Sequence, residues 1–143
     1  MMMFVVMTVL GSCNGSPNDV LGSDCVTGEE IEAASGLIYE ELECGDGTEA
    51  THGDALTVRY TGRLSAGTIF DQTEAGETFE FLLDSDVLIA GWSEGVSGMR
   101  EGGRRRLQIP PELGYGDGGL AGVVPPNETL TYVIDLIEVR HPD

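Results

Sequence analysis

The stretch "GWSEGVSGMREGGRRRLQIP", residues 91–110, decides the fold class because it joins the clearest helical pattern in the sequence to a strand pattern. Trp92, Val96 and Met99 are spaced so that they share one face of a short helix, which Gly102 is expected to end. From the triple arginine onward, side chains alternate between two faces, as in a strand. The stretch therefore predicts one short helix followed by a strand.

Four other segments have the alternation of half-buried strands. In one of them, Leu56, Val58 and Tyr60 alternate with polar residues, which is the period of a strand with one buried face. The four segments read "GLIYEELECG", "DALTVRYTGRL", "TFEFLLD" and "LTYVIDLIEVR". Five strands and one helix predict an α+β fold, with a five-stranded antiparallel sheet and the helix covering one of its faces.

The composition excludes several classes of partner. A chain of 143 residues has the length of one domain. Its 25 acidic residues outnumber its 7 basic residues, and the net charge of −18 repels nucleic-acid phosphates and anionic lipid heads. We therefore expect no nucleic-acid partner, and we expect the run Arg104–Arg106 to be solvated or ion-paired.

The N-terminus has the pattern of an export signal. The first ten residues, "MMMFVVMTVL", are apolar but too few to span a membrane. The following "LGSC" resembles the bacterial lipobox, which predicts that Cys13 is lipidated, although no Lys or Arg precedes the apolar run. An ordinary cleaved signal or a frayed terminus is the alternative.

We divide the chain into a signal peptide with the lipobox at residues 1–13, an acidic Gly- and Ser-rich tether at 14–35 and a folded domain at 36–141. We expect the protein in the bacterial periplasm or at the outer membrane, held to the membrane only by a lipid anchor.

Cysteine and histidine usage gives one candidate bridge and no metal site. If Cys13 is lipidated, Cys25 and Cys44 remain as an even pair that could form a disulfide in an oxidising compartment. Two unrelated thiols are the alternative. His52 and His141 have no His, Cys or paired carboxylates at ligand spacing, so no metal is predicted.

Two short motifs suggest enzymes that the context excludes. "GYGDGG" at residues 114–119 matches the dinucleotide pattern G-x-G-x-x-G, but Pro125 and Pro126 follow, so no helix is expected to hold a pyrophosphate. "GWSEG" matches the esterase pattern G-x-S-x-G around Ser93, and Asp135 and His141 follow it in order. That motif needs a parallel sheet with crossover helices, for which the chain is too short. Ser93 is instead expected to cap the helix.

Five segments taken together resemble the FKBP-type peptidyl-prolyl cis/trans isomerases, which bind tacrolimus. They are "VRYTGRL", "GTIFD", "TFEFLL", "VLIAGWSEGVSGMREGGRRRLQIPPELGYGDGG" and "VVPPNETLTYVIDLIEV". The resemblance runs from about Gly36 to Arg140. It implies a sheet curled around one short helix, with an apolar pocket for proline between them. It also implies a monomeric isomerase without metal or cofactor, whose partners are proline-containing polypeptides and macrolide inhibitors.

The resemblance also implies the residues of the pocket, with Trp92 as its floor and the Ile89 amide as a donor to a substrate carbonyl. The carried-over set is Tyr60, Phe70, Asp71, Phe79, Leu88, Ile89, Trp92, Tyr115, Val123, Val124 and Tyr132. Three features depart from the family pattern. The stretch from Asp71 to Phe79 is one residue shorter than in the family pattern, and it lacks the arginine that pairs with the pocket aspartate there. Tyr132 replaces the commoner phenylalanine. Leu120 stands at a variable position of the flap, the loop beside the pocket that begins with "GYGDGG". We expect weaker binding of macrolides as a result.

Two functions follow as hypotheses. The first is rotation of X-Pro bonds in exported proteins, because an apolar aromatic box needs no nucleophile, base or metal to favour a twisted amide. The second is a surface-anchored binding module, a holdase or adhesion domain, which holds proline-containing segments without turnover. The complete aromatic set favours the first hypothesis, and the missing arginine favours the second.

Overall fold

The computed structural model describes residues 25–83 and 88–141. The predicted signal peptide, the lipidation site Cys13 and residues 14–24 of the predicted tether lie outside the described residues. Within the described ranges, no helix is both long and apolar enough to cross a membrane.

The described part of the chain forms one antiparallel sheet with one α-helix. The strands are β1 (Glu30–Glu32), β2 (Ile38–Glu43), β3 (Ala55–Arg63), β4 (Ile69–Gln72), β5 (Phe79–Leu82), β6 (Arg104–Ile109) and β7 (Leu130–Arg140). The α-helix is α1 (Ala90–Val96), and a 3₁₀ turn, Pro111–Leu113, follows β6. The strand order is β1-β2-β6-β7-β3-β4, and β5 pairs with β3 beside β4. The predicted α+β class is confirmed, but the predicted count of five strands is wrong, since β1 and β4 were not foreseen.

The long central strands β3 and β7 form the floor of the core. Leu56 and Val58 of β3 are completely buried, as are Leu130 and Ile134 of β7. Alternate residues of β7 from position 131 to 135 are only partly buried, so the two-residue period separates the inner face of the sheet from the outer one. The predicted alternation of both strands is therefore confirmed, and it directs the apolar face toward α1.

The helix approaches the sheet closely because it presents glycines to β6. A Cβ built on Gly91 would lie 2.5 Å from Ile109 Cγ2, and one on Gly95 would lie 2.6 Å from Leu107 Cδ1. Side chains at either position would push α1 away from the strand. This close contact places the buried Trp92 directly over the inner face of the sheet.

The limits of α1 differ from those predicted. The helix begins after Ile89, which makes no side-chain capping hydrogen bond, so the prediction that Ser93 caps the helix is wrong. Ser93 lies within the helix. The helix ends at Val96, well before Gly102, because Gly98 adopts a φ of +90° that only glycine takes readily. The turn at Gly98 still leaves Met99 buried in the core.

The middle arginine of the triple run closes the helix rather than facing solvent. Arg105 is 7% exposed and donates hydrogen bonds to the carbonyls of Gly95 and Ser97, at 2.7 and 3.2 Å. It also pairs with Glu41, and its guanidinium lies 4.7 Å from the ring centroid of Tyr39. A cation at a helix C-terminus satisfies carbonyls that have no partner within the helix. Arg105 therefore links α1, β6 and β2.

A disulfide attaches the N-terminal end of the described chain to the sheet. Cys25 and Cys44 are bonded, with their Cα atoms 6.0 Å apart, and Cys44 directly follows β2. Beyond Cys25, Glu30–Glu32 pairs with β2 as the edge strand β1. Residues 25–35, which the sequence analysis places in the tether, are therefore attached to the sheet by a covalent bond and by backbone hydrogen bonds.

Candidate active site

A cavity of about 510 Å³ opens between the start of α1 and the inner face of the sheet. Its wall combines aromatic side chains of the sheet with apolar residues at the start of the helix. The lining residues are Tyr60, Asp71, Phe79, Leu88, Ile89, Ala90, Trp92, Gly114, Tyr115 and Tyr132. Most of the predicted pocket residues are therefore brought together around one cavity.

Trp92 lies at the centre of an aromatic cluster. Its ring centroid is 5.0 Å from that of Tyr60 and 5.2 Å from that of Tyr132, with interplanar angles of 90° and 87°. Phe79 approaches it at 6.2 Å from the cavity side, and the buried Phe81 at 5.4 Å. Edge-to-face contacts of this kind are favourable and hold rings in fixed orientations. The cluster therefore forms a rigid apolar wall around the cavity.

Local sequence makes room for this cluster at one glycine of β3. Gly62 is the register partner of Tyr132 on β7. A Cβ at Gly62 would lie 2.7 Å from Tyr132 Cε1 and 3.1 Å from Phe70 Cε1. Only glycine lets both rings approach the strand this closely. The position of the Tyr132 ring therefore depends on a residue two positions along β3 from Tyr60.

One hydrogen bond fixes the orientation of the Tyr60 phenol. Its hydroxyl donates to Asp71 Oδ2 at 3.0 Å. Burial raises the pKa of Tyr60 well above its ordinary value, and the hydrogen bond to Asp71 raises it further. Among the described residues, which include every arginine of the chain, none forms an ion pair with Asp71. The phenol, rather than an arginine, is therefore the partner of this carboxylate.

The other two tyrosines of the cavity are also held neutral. Burial, followed by the charge of Asp71, raises the pKa of Tyr115. Burial also raises the pKa of Tyr132, and the neighbouring Tyr115 and Asp71 add to that effect. At neutral pH all three phenols are therefore protonated hydrogen-bond donors, and none is a base.

Three predicted pocket residues do not line the cavity. Phe70 packs behind it, with its ring centroid 5.7 Å from that of Tyr132. Val123 and Val124 lie instead on a neighbouring apolar groove, of about 370 Å³, formed by the flap between the 3₁₀ turn and β7. Leu120 bonds back to Val124 there, so the flap folds on itself and carries both valines away from the cavity. Ala90 and Gly114 line the cavity in their place, and no sequence signal pointed to them.

Neither the esterase motif "GWSEG" nor the dinucleotide motif "GYGDGG" forms the site that its pattern suggests. Asp135 bonds Arg104 at 2.6 Å, whereas His141 bonds Asp54 at 2.6 Å, so Ser93 has no hydrolase triad around it. Residues 114–129, which contain "GYGDGG", form turns and no helix. Gly119 within them is required by close packing, because a Cβ there would lie 2.3 Å from the carbonyl oxygen of Val124. Those glycines therefore shape the flap.

Comparison with known proteins identifies the family. Residues 47–137 match the FKBP-type peptidyl-prolyl cis-trans isomerases. The "FK506-binding protein" of Neisseria meningitidis serogroup B is 46% identical over 105 residues, covering 73% of this chain and 96% of that protein. The chain therefore belongs to the FKBP-type peptidyl-prolyl cis-trans isomerases, a family of enzymes, as its sequence segments predicted.

Solved structures agree with this assignment. FkpA from Escherichia coli superposes with a TM-score of 0.74 at 34% identity, covering 87% of this chain and 60% of that one. A peptidyl-prolyl cis-trans isomerase from Pseudomonas syringae pv. tomato gives a TM-score of 0.73 at 30% identity, covering 90% of this chain and all of that one. The chain thus spans the whole of the Pseudomonas structure but only part of FkpA. The predicted FKBP-like fold and the predicted enzyme class are confirmed.

Proposed function

We propose that this protein accelerates rotation about X-Pro bonds in exported proteins, with the proline ring bound in the aromatic cavity. The observation that carries the proposal is the cavity over Trp92, which is walled by edge-on aromatic rings. Its volume of about 510 Å³ lies within the range of small-ligand pockets and accommodates a proline with its flanking peptide groups. Among residues 25–83 and 88–141, the lining includes no serine, cysteine, histidine or lysine.

The chemistry requires only an environment in which a planar amide is less favoured. Resonance in the C–N bond sets a rotation barrier of about 18–20 kcal/mol, so the uncatalysed step takes tens of seconds or longer. Resonance also separates charge, which water stabilises. An apolar cavity removes that water and so weakens the preference for planarity. The planar amide then loses more stabilisation than the twisted amide does, which lowers the barrier to rotation. Rings of Trp92, Tyr60, Phe79 and Tyr132 supply such an environment.

Polar groups at the edge of the cavity orient the peptide. The Ile89 backbone N–H, at the start of α1, donates to a substrate carbonyl in this proposal. Asp71 holds the Tyr60 phenol in place through their 3.0 Å hydrogen bond, so that the ring presents its face to the proline. The related Neisseria protein is named for binding FK506, and we propose that the same cavity binds such macrolides, more weakly because no arginine fixes Asp71.

A rotation assay with four variants tests the proposal. Tyr60→Ala is expected to lower kcat/KM for a short X-Pro peptide at least tenfold, about 1.4 kcal/mol of transition-state stabilisation, by admitting water. Phe70→Ala is expected to lower it by a similar factor, because it removes the ring that packs against Tyr132 behind the cavity. Asp71→Ala should lower it similarly by freeing the Tyr60 ring. Ser93→Ala, on the helix but outside the cavity lining, is the matched control and should change the rate less than about twofold.

The competing hypothesis is a binding module without turnover. The absence of an arginine beside Asp71 favours it, because a less constrained Tyr60 would bind proline without fixing the twisted geometry. Normal peptide binding by the wild type without any acceleration of rotation would establish the binding module. Ester cleavage that Ser93→Ala abolished would contradict both readings.

Export and lipidation are part of the proposal. The apolar leader and the "LGSC" sequence support them, and so does the Cys25–Cys44 disulfide, since such bonds persist mainly in oxidising compartments. We expect the protein in a membrane fraction from which detergent releases it, and we expect Cys13→Ser to free it or to block its maturation. Recovery of the wild type from the cytoplasm with Met1 retained would refute export.

A further inference from the structure

The backbone of Tyr60 lies beside a gap between two strands. On the side of β3 that faces away from β7, β4 ends with Gln72, opposite Thr61. On the same side, β5 begins with Phe79, opposite Val58. Tyr60 therefore pairs with neither of these strands. A backbone N–H and a backbone carbonyl in such a gap need hydrogen-bond partners from outside the strand ladder.

Thr73, the first residue after β4, supplies both partners. Its backbone N–H donates to the Tyr60 carbonyl at 3.0 Å, and its hydroxyl donates to the same oxygen at 3.4 Å. Its Oγ1 also accepts from the Tyr60 N–H at 3.3 Å. Residues 71–80 are exposed except for Thr73, which is half-buried because its side chain is turned toward β3. The Thr73 hydroxyl thus takes the place of the backbone groups that a neighbouring strand would offer.

One short segment therefore holds Tyr60 at both ends. Asp71, two residues before Thr73, accepts from the Tyr60 phenol at 3.0 Å, while Thr73 holds the Tyr60 backbone. Between these two points, the Tyr60 ring meets the Trp92 ring edge-on, with the ring centroids 5.0 Å apart. A turn of the Tyr60 side chain would break the bond to Asp71, and a shift of its backbone would break the bonds to Thr73. Together these bonds fix the Tyr60 ring as part of the cavity wall.

We propose that Thr73 is a positioning residue for X-Pro rotation, whose hydroxyl acts through Tyr60 and affects kcat more than KM. The inference rests on the proposed function, because it assumes that the proline ring enters this cavity. Apolar contact with a proline ring is non-directional, so a slightly displaced Tyr60 ring still binds it. Exclusion of water from the twisting amide requires the ring in its place, and this exclusion matters most in the transition state. Loss of the hydroxyl therefore slows rotation in the bound peptide and leaves binding nearly unchanged.

The test compares three variants of the full chain with the wild type. Thr73→Val keeps the shape of the side chain and the backbone N–H but removes the hydroxyl, and Thr73→Ser keeps the hydroxyl. Thr61→Val is the matched control, because it makes the same change beside Tyr60 at a hydroxyl without a hydrogen bond among residues 25–83 and 88–141. Two quantities are measured: kcat and KM for a short X-Pro peptide, and the rates of amide hydrogen exchange by NMR. The amide of the fully buried Ile134 on β7 reports opening of the whole sheet.

The expected results separate positioning from general stability. Thr73→Val should lower kcat about 3- to 10-fold and change KM less than about twofold. Thr73→Ser should recover most of the lost kcat, and Thr61→Val should keep the kcat and KM of the wild type. In Thr73→Val, exchange of the Tyr60 amide should accelerate at least about tenfold more than exchange of the Ile134 amide, because only the Tyr60 amide loses its acceptor.

Other outcomes overturn the inference in identifiable ways. Wild-type kcat in Thr73→Val, together with faster exchange at Tyr60, would show that the hydroxyl bond is structural only. Equal acceleration of exchange at Tyr60 and Ile134 would assign Thr73 to the stability of the whole sheet. A raised KM at unchanged kcat would show that the Tyr60 position governs binding. A wild type that binds the peptide without accelerating rotation would refute the proposed function and the claim about kcat with it, whereas exchange at Tyr60 would still show whether Thr73 holds this residue.

Discussion

Replacing Gly62 with alanine tests whether the cavity depends on close packing behind it. The added Cβ would lie 2.7 Å from Tyr132 Cε1 and 3.1 Å from Phe70 Cε1. Carbon atoms in contact are normally about 3.5–4.0 Å apart, so the Tyr132 ring must move by roughly 1 Å. Overpacking of this kind typically costs about 1–3 kcal/mol of folding free energy. The displaced ring would also enter the cavity that we propose for proline.

Two measurements on this variant should change together. The free energy of unfolding, from denaturant titration, should fall by about 1–3 kcal/mol relative to wild type. The kcat/KM for an X-Pro peptide, measured where the variant remains folded, should fall at least tenfold, since a misplacement of about 1 Å can cost as much as a hundredfold. Gly118→Ala is the matched control, because a Cβ there meets no atom within 4 Å and its φ is not positive.

A double-variant cycle identifies the cause of the stability loss. If the clash is with the Tyr132 ring, Gly62→Ala should cost less stability in a Tyr132→Leu background, where Cε1 is absent. Equal cost in both backgrounds would place the strain elsewhere. A Gly62→Ala variant with wild-type stability and wild-type kcat/KM would refute the argument that this glycine sets the shape of the cavity.

Three further predictions concern the framework around the site. Cys44→Ser should lower the free energy of unfolding by about 3 kcal/mol, because it opens a loop of about 20 residues, and should leave peptide affinity unchanged. Arg105→Met should cost about 3 kcal/mol in the same titration, since it leaves Glu41 without its cation, whereas the exposed Arg63→Met should cost less than about 0.5 kcal/mol. Burial alone would raise the pKa of Asp54, but the hydrogen bonds with Thr51 and His141 together outweigh it, so the pKa of Asp54 is lowered. Asp54 should therefore stabilise the fold above about pH 4, the ordinary carboxyl value, and the advantage of wild type over Asp54→Asn in denaturation midpoint should vanish at lower pH.

The parts of the fold that follow from local pattern were predictable from the sequence. The inner faces of β3 and β7 follow from strict two-residue alternation, and Trp92 follows from its position on the one short helix. The strand β1 did not follow, because its three residues, Glu30–Glu32, are all exposed and give no alternation of buried and exposed positions. It forms by pairing with β2 and is anchored near the disulfide, and both depend on contacts distant in sequence.

The burial of Arg105 shows a different limit. Arg104, Arg105 and Arg106 are chemically identical, so composition does not distinguish them. The register does: Arg105 shares its face of β6 with Leu107 and Ile109, which are fully buried. The inward position of Arg105 could therefore have been read from the strand period. The partners of Arg105 could not have been read from the sequence. They are carbonyls at the C-terminal end of α1, and a helix that extended to Gly102, as predicted, would leave no free carbonyls near Gly95.

The candidate site was predictable where a residue's position follows from a strand or a helix, and less so in the flap. Tyr60 and Tyr132 lie on β3 and β7 and line the cavity as expected. Val123 and Val124 were assigned to the cavity but lie on the neighbouring groove, because the bond between Leu120 and Val124 reverses the flap. Such a reversal depends on glycines with positive φ, among them Gly119 and Gly122, which a sequence motif does not place in space.

The charges of this protein and the chemistry of its cavity are separated in the structure. None of the ion pairs found within residues 25–83 and 88–141 involves a residue that lines the cavity. Among the described residues that line the cavity, the carboxylate of Asp71 is paired with a phenol, and the other polar side chains are neutral phenols. A reaction that transfers no proton gains nothing from a titrating group. What it requires is exclusion of water and fixed donors, which the close approach of α1 at Gly91 and Gly95 and the packing of Tyr132 on Gly62 provide.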